Sequence, residues 1–198
     1  MRRGILIGLW IAVAAALVGV TALWVLSRNQ GGIAGGDRLG ADFTLVDEQG
    51  APVTEEIFEG HPSAVFFGFT HCPDVCPTTL ADMASWREAL GDKADDLALV
   101  FVTVDPERDT PEVMADYVSA FDAGIRGITG EPDKVRAMLD DYHVFYRKVE
   151  TEGGDYTMDH TASVFLLDGD GRLAGTINFN EDRDAALAKL NRLLDGAA

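Results

Sequence analysis

Cys72 and Cys76 are the only two cysteines of the chain, and they fall within one short segment. Residues 66–80 read FFGFTHCPDVCPTTL, a strand-like apolar run, a turn holding Pro73 and Asp74, and a helix start. Backbone N–H groups left unpaired in a first helical turn, together with the helix dipole, favour thiolate over thiol. Cysteines so placed gain nucleophilicity and metal affinity. The turn can bring both sulfurs to one side of the helix entrance, which permits either a disulfide or a shared metal ion. A disulfide needs Cβ atoms about 3.8 Å apart, whereas two ligands of one ion tolerate a wider separation. The spacing does not choose between them. A purely structural bridge closing so short a loop would restrict the unfolded chain little, and inert buried cysteines need no helix-terminal setting.

The elements that must position this pair follow from hydrophobic patterning. Short β-branched or aromatic runs at 43–46, 64–69, 97–104, 144–149, 163–167 and 173–177 read as strands. Helix-period apolar positions mark 78–90, 111–121, 132–142 and 182–194, with Pro77 and Pro111 near two helix starts. The turn DGDGR at 168–172 joins the last two strands as a hairpin. The order predicts an α/β fold: a mixed central sheet with flanking helices, a parallel first half and a closing hairpin.

The uncharged run at 5–26 covers 22 residues, roughly 33 Å as a helix, and is expected to be a transmembrane helix. It is long for a signal peptide and lacks an A-x-A-like cleavage site, so an anchor is expected rather than a cleaved leader. Arg2 and Arg3 precede it while only Arg28 follows closely, which places 1–4 in the cytoplasm and the rest outside it. Residues 27–40, rich in glycine, read as a flexible linker, and 41–198 as one domain. All 33 acidic residues follow the anchor against 14 of the 16 basic ones, leaving about −19 on the exported part, which argues against nucleic acid as a partner.

Four segments in order, FTHCPDVCPTTL, VTVDPERDTPE, YRKV and DYTMDHTASVFLLD, resemble the Sco/SenC family of cytochrome oxidase assembly proteins from about residue 42 to 194. The resemblance implies a thioredoxin-like fold, one copper ion per domain, and maturation of the binuclear copper centre of a terminal oxidase. It implies metal ligands at Cys72, Cys76 and His160, with the two cysteines also acting as a redox-active disulfide pair. The expected partners are the copper-accepting subunit of a terminal oxidase and a thioredoxin-like reductant, while the topology of the N-terminal run points to a bacterial inner membrane with the domain in the periplasm. A mitochondrial version would need an Arg-rich, acid-poor presequence, and only MRRG precedes the apolar run. Two thiolates and an imidazole form a soft set suited to cuprous ion, with Asp159, His71 or water available to complete a cupric or zinc site.

His160 is expected on a polar loop at one end of the sheet, His61 in a solvated turn, and His143 packed at the start of a strand. Asp105, Glu107 and Asp109 could form a hard-cation loop, but the neighbouring prolines favour strand exit and helix capping. Two functions stand out. One is a copper metallochaperone; the other is a thiol–disulfide oxidoreductase that reduces the acceptor's cysteines. Dedicated redox thioredoxins usually carry C-x-x-C, so C-x-x-x-C tilts the balance toward metal. The fold would support a peroxidase, but no residue requires one, and whether the chain is an enzyme stays open.

Overall fold

The computed structural model describes Trp10, Gly40 and residues 42–196. The expected anchor at 5–26 and linker at 27–40 lie outside the described residues, those two positions apart. Among the described residues no helix is long and apolar enough to cross a membrane.

Seven strands form one mixed sheet, in the order β2-β1-β5-β4-β3-β8-β9. In chain order they are β1 (Thr44–Asp47), β2 (Pro52–Thr54), β3 (Ser63–Gly68), β4 (Ala98–Thr103), β5 (Arg126–Thr129), β8 (Ser163–Leu167) and β9 (Leu173–Asn178). The strands β3, β4 and β5 run parallel, and β8 and β9 close the sheet antiparallel to β3. Every residue of β3 is buried, as parallel central strands covered on both faces require. Phe66, Phe67 and Phe101 lie at its centre fully buried, each worth about 1.5–3 kcal/mol on transfer from water. Among the described residues four α-helices accompany the sheet: α1 (Val75–Leu90), α2 (Pro111–Ser119), α3 (Pro132–Asp141) and α4 (Arg183–Asp195). This is the mixed sheet with flanking helices expected from the patterning, in the thioredoxin-like form that the resemblance implies.

A second, two-stranded sheet stands apart, made of β6 (Tyr146–Glu150) and β7 (Tyr156–His160). Three strands, β2, β5 and β7, fall outside the runs that patterning predicts, and β7 corrects the expectation that His160 sits on a loop. His160 is the last residue of a strand, paired with Tyr146. The entry to this hairpin also corrects the reading of His143, which is exposed rather than packed. It adopts a left-handed φ of 54° just past α3, where Val144 N–H donates to Leu139 O at 2.9 Å and His143 N–H to Asp140 O at 3.0 Å. That is a Schellman ending with histidine in the position glycine usually holds. The DGDGR turn forms as expected, with Asp168 Oδ1 accepting from the backbone N–H of Asp170 and Arg172.

Candidate metal centre

The cysteine half of the site grows from the end of β3. The chain leaves Gly68, turns through Thr70–Asp74 and enters α1 at Val75, so Cys76 lies in the first helical turn. Asp74 occupies the N-cap position without making a side-chain cap bond. Cys72 Sγ serves instead, accepting the backbone N–H of Cys76 at 3.3 Å. An orphan helix donor is thus satisfied by sulfur, which needs negative charge to accept well. Both cysteines are free thiols; Cys76 is buried and Cys72 half-buried.

The histidine half arrives from β7. His160 Nδ1 lies 2.9 Å from Thr161 O, and since a carbonyl only accepts, Nδ1 carries the proton. This fixes the tautomer and leaves the Nε2 lone pair facing Cys76 Sγ at 3.5 Å. Phe66 and Phe69 meet the imidazole edge-on at centroid distances of 6.0 and 5.8 Å, holding the ring plane. Cys72 Sγ, Cys76 Sγ and a His160 ring nitrogen lie within 4.8 Å of one another, and among the described residues no other three His, Cys, Asp or Glu donors come together in this way. The donor set fits a soft ion: two sulfurs and one imidazole with its second nitrogen already committed.

The two sulfurs are electrostatically unequal. A hydrogen bond from the Cys76 thiol is the main influence that lowers Cys72, to about 4, against burial that opposes it. The same contact, followed by burial, pushes Cys76 upward. The pair therefore rests as a Cys72 thiolate holding a Cys76 proton. Because the folded value of Cys72 lies below the ordinary 9.0, its thiolate persists as pH falls until about pH 4. Iodoacetamide should modify Cys72 at a rate that stays flat from about pH 8 to 6, where an ordinary thiol slows roughly a hundredfold. Mass spectrometry of the Cys72 peptide reads this, and a rate following an ordinary thiol would contradict the assignment.

The segment 105–109 frames the site. Asp109 is fully buried, and burial pushes its carboxyl upward. It accepts from Thr70 N–H at 3.1 Å, Thr70 Oγ1 at 2.6 Å and Thr103 Oγ1 at 2.6 Å, tying the cysteine turn to the end of β4. The cap of α2 is Thr110, which accepts from Val113 N–H ahead of Pro111. Capping and strand exit account for this segment, as expected, and Asp105, Glu107 and Asp109 do not gather as a cation site. Gly68 is required by packing: a Cβ there would sit 2.8 Å from Phe101 and 2.9 Å from Cys76 Sγ. Gly68→Ala should cost about 1–3 kcal/mol and displace the Cys76 sulfur, seen as a lower Tm and weaker metal binding.

Of the other residues considered, His61 is exposed in its turn, as expected. His71 is exposed beside Thr70 and lies 3.9 Å from Asp109, outside the three-donor cluster. Asp159 pairs with Arg147 on the outer side of the hairpin. The importance of Thr161, whose carbonyl orients the imidazole, was missed; its place directly after the histidine is the signal that could have raised it.

Fold and site together define a thioredoxin-type domain with a Cys/Cys/His donor cluster where its first long helix begins. The chain belongs to the SCO1/SenC family, whose model matches residues 32–195. It is 36% identical over 174 residues to a SCO2-like protein of Rickettsia prowazekii, covering 82% of this chain and 85% of that one. Among solved structures it resembles Bradyrhizobium japonicum ScoI with copper bound, at 43% identity and a TM-score of 0.72 over 78% of this chain and 99% of that one. It also resembles yeast Sco1 with copper bound, at 32% identity and a TM-score of 0.73 over 81% and 90%.

Proposed function

We propose that this protein is a copper metallochaperone that holds one copper ion on Cys72, Cys76 and His160. We propose further that it hands the ion to the copper-accepting subunit of a terminal cytochrome oxidase. The observation that carries this reading is the convergence of two sulfurs and an oriented imidazole within 4.8 Å. Two structural relatives at 32% and 43% identity are described with copper bound, which supports copper as the cargo. Half-exposure of Cys72 and His160 against a buried Cys76 supports a site that can be approached by an acceptor from one side. The oxidase as destination rests on the motif resemblance.

The unequal thiols favour a second reading, thiol–disulfide exchange with the acceptor's cysteines, renewed by a thioredoxin-like reductant. In that reading the Cys72 thiolate attacks an acceptor disulfide. The Cys76 thiol, once deprotonated, resolves the mixed disulfide, leaving the acceptor as a dithiol and this protein as a disulfide. Oxidase maturation at limiting copper separates the two. With metallochaperone action essential, His160→Ala and Cys72→Ser both fail; if His160→Ala matures the oxidase normally while Cys72→Ser does not, the reductase reading replaces it.

The run at 5–26 is read as a single-pass anchor in a bacterial inner membrane with the domain in the periplasm, supported by Arg2 and Arg3 before it. Protease added to spheroplasts should degrade the domain. Its survival, or its release as a shortened soluble form, would contradict the anchor.

A further inference from the structure

His160 rides on a hairpin that shares no ladder with the main sheet. A cleft of about 250 Å³ opens beneath it, lined by Val104, Pro106, Glu107, Arg136, Tyr146 and Met158. Tyr146 and Met158 pack from the hairpin against the core, and polar contacts add to that seating. These contacts converge on one arginine. Arg108 donates through Nε to Asp105 Oδ2, and through Nη1 to Tyr156 O at 3.0 Å, so one rigid fork joins the 105–109 segment to β7. Its guanidinium lies 3.7 Å from the centroid of the Tyr156 ring. The Tyr156 hydroxyl returns to Asp105 Oδ1 at 2.9 Å, closing a loop of three residues. Lys148, on the partner strand β6, pairs with Glu107 at 3.0 Å and also lies 3.7 Å from the Tyr156 centroid.

Arg108 is 83% buried by its side chain, whose relative exposure is 17%, and its Nη2 has no hydrogen-bond partner among the described residues. Its neighbour Asp109 fixes the cysteine turn through Thr70. Five consecutive residues therefore grip both halves of the metal site, one half by Asp109 and the other by Arg108.

We propose that the 105–109 segment sets the separation between the cysteine and histidine halves. Arg108 is then a positioning residue for His160, a ligand it does not touch, acting through Tyr156 and the rigid ladder of β6 and β7. This rests on the metal-site reading above, and the test has one arm that needs no metal. In the metal-free, reduced chain, Arg108→Ala should speed amide hydrogen exchange in β6 and β7 about tenfold relative to β3 and β4. Arg108→Lys keeps a cation beside Asp105 but loses the fork, and should speed the same amides. Unchanged hairpin exchange in Arg108→Ala, or native exchange in Arg108→Lys, overturns the clamp whether or not copper binds. In the second arm, Arg108→Ala should weaken copper about tenfold, as outer-shell changes do, yet change it less than about twofold in a His160→Ala background. Equal weakening in both backgrounds overturns the action through His160. Absence of copper binding by the native chain would instead count against the metal-site reading, leaving the exchange arm to decide the clamp.

Discussion

Oxidation of the chain to a Cys72–Cys76 disulfide is expected to abolish copper binding, while the reduced chain binds one ion. The donors are thiolates, and a disulfide removes both at once, leaving a single imidazole from the three-donor cluster. The resting Cys72 thiolate is poised either for a metal or for oxidation, and the two outcomes compete for the same electrons. Oxidation requires the Cys76 proton to leave as the sulfurs join, giving two electrons to an external oxidant. Copper titration before and after oxidation, with free-thiol counting, reads the effect. Equal uptake by the two forms would refute a shared site.

His160→Ala should weaken copper by at least about 100-fold, the upper end of what loss of an outer-shell partner costs. The disulfide should still form, because the imidazole takes no part in the bond between the sulfurs. The fold should survive with a modest penalty. His160 is half-buried against Phe66 and Phe69, so its removal forfeits two edge-on ring contacts, about 1–2 kcal/mol together. A histidine on a polar loop would carry no such penalty. Competition against a cuprous chelator, thermal unfolding of the metal-free protein and quantitation of reversible oxidation test the three parts. Native copper affinity in this variant would remove His160 from the ligand set.

The cysteine half was legible because it is local. A strand end, a proline-containing turn and a helix start are written within fifteen residues, and the sulfurs need no distant partner to be recognised as reactive. His160 lies 84 residues from Cys76, so spacing could not bring it there, and only the motif resemblance named it. The hairpin that delivers it escaped patterning for a physical reason. The sequence of β7, YTMDH, is polar and mostly half-exposed, and becomes a strand by pairing with β6 rather than by burying an apolar face. The β5 run, RGIT, is four residues long and begins with an exposed arginine, too little alternation to stand out. His143 carried no glycine to announce a left-handed helix ending. The local chemistry of 105–109 announces capping and strand exit. Its long-range role was invisible, because Arg108 meets Tyr156 across 48 residues and Asp109 meets Thr70 across 39.

X-ray absorption at the copper edge of the reduced, copper-loaded chain tests the central claim most directly. Two sulfur scatterers and one imidazole nitrogen are expected, with the imidazole signature lost in His160→Ala and one sulfur lost in Cys72→Ser. A first shell of oxygen and nitrogen alone, or a native spectrum in either variant, would contradict a copper site built from Cys72, Cys76 and His160.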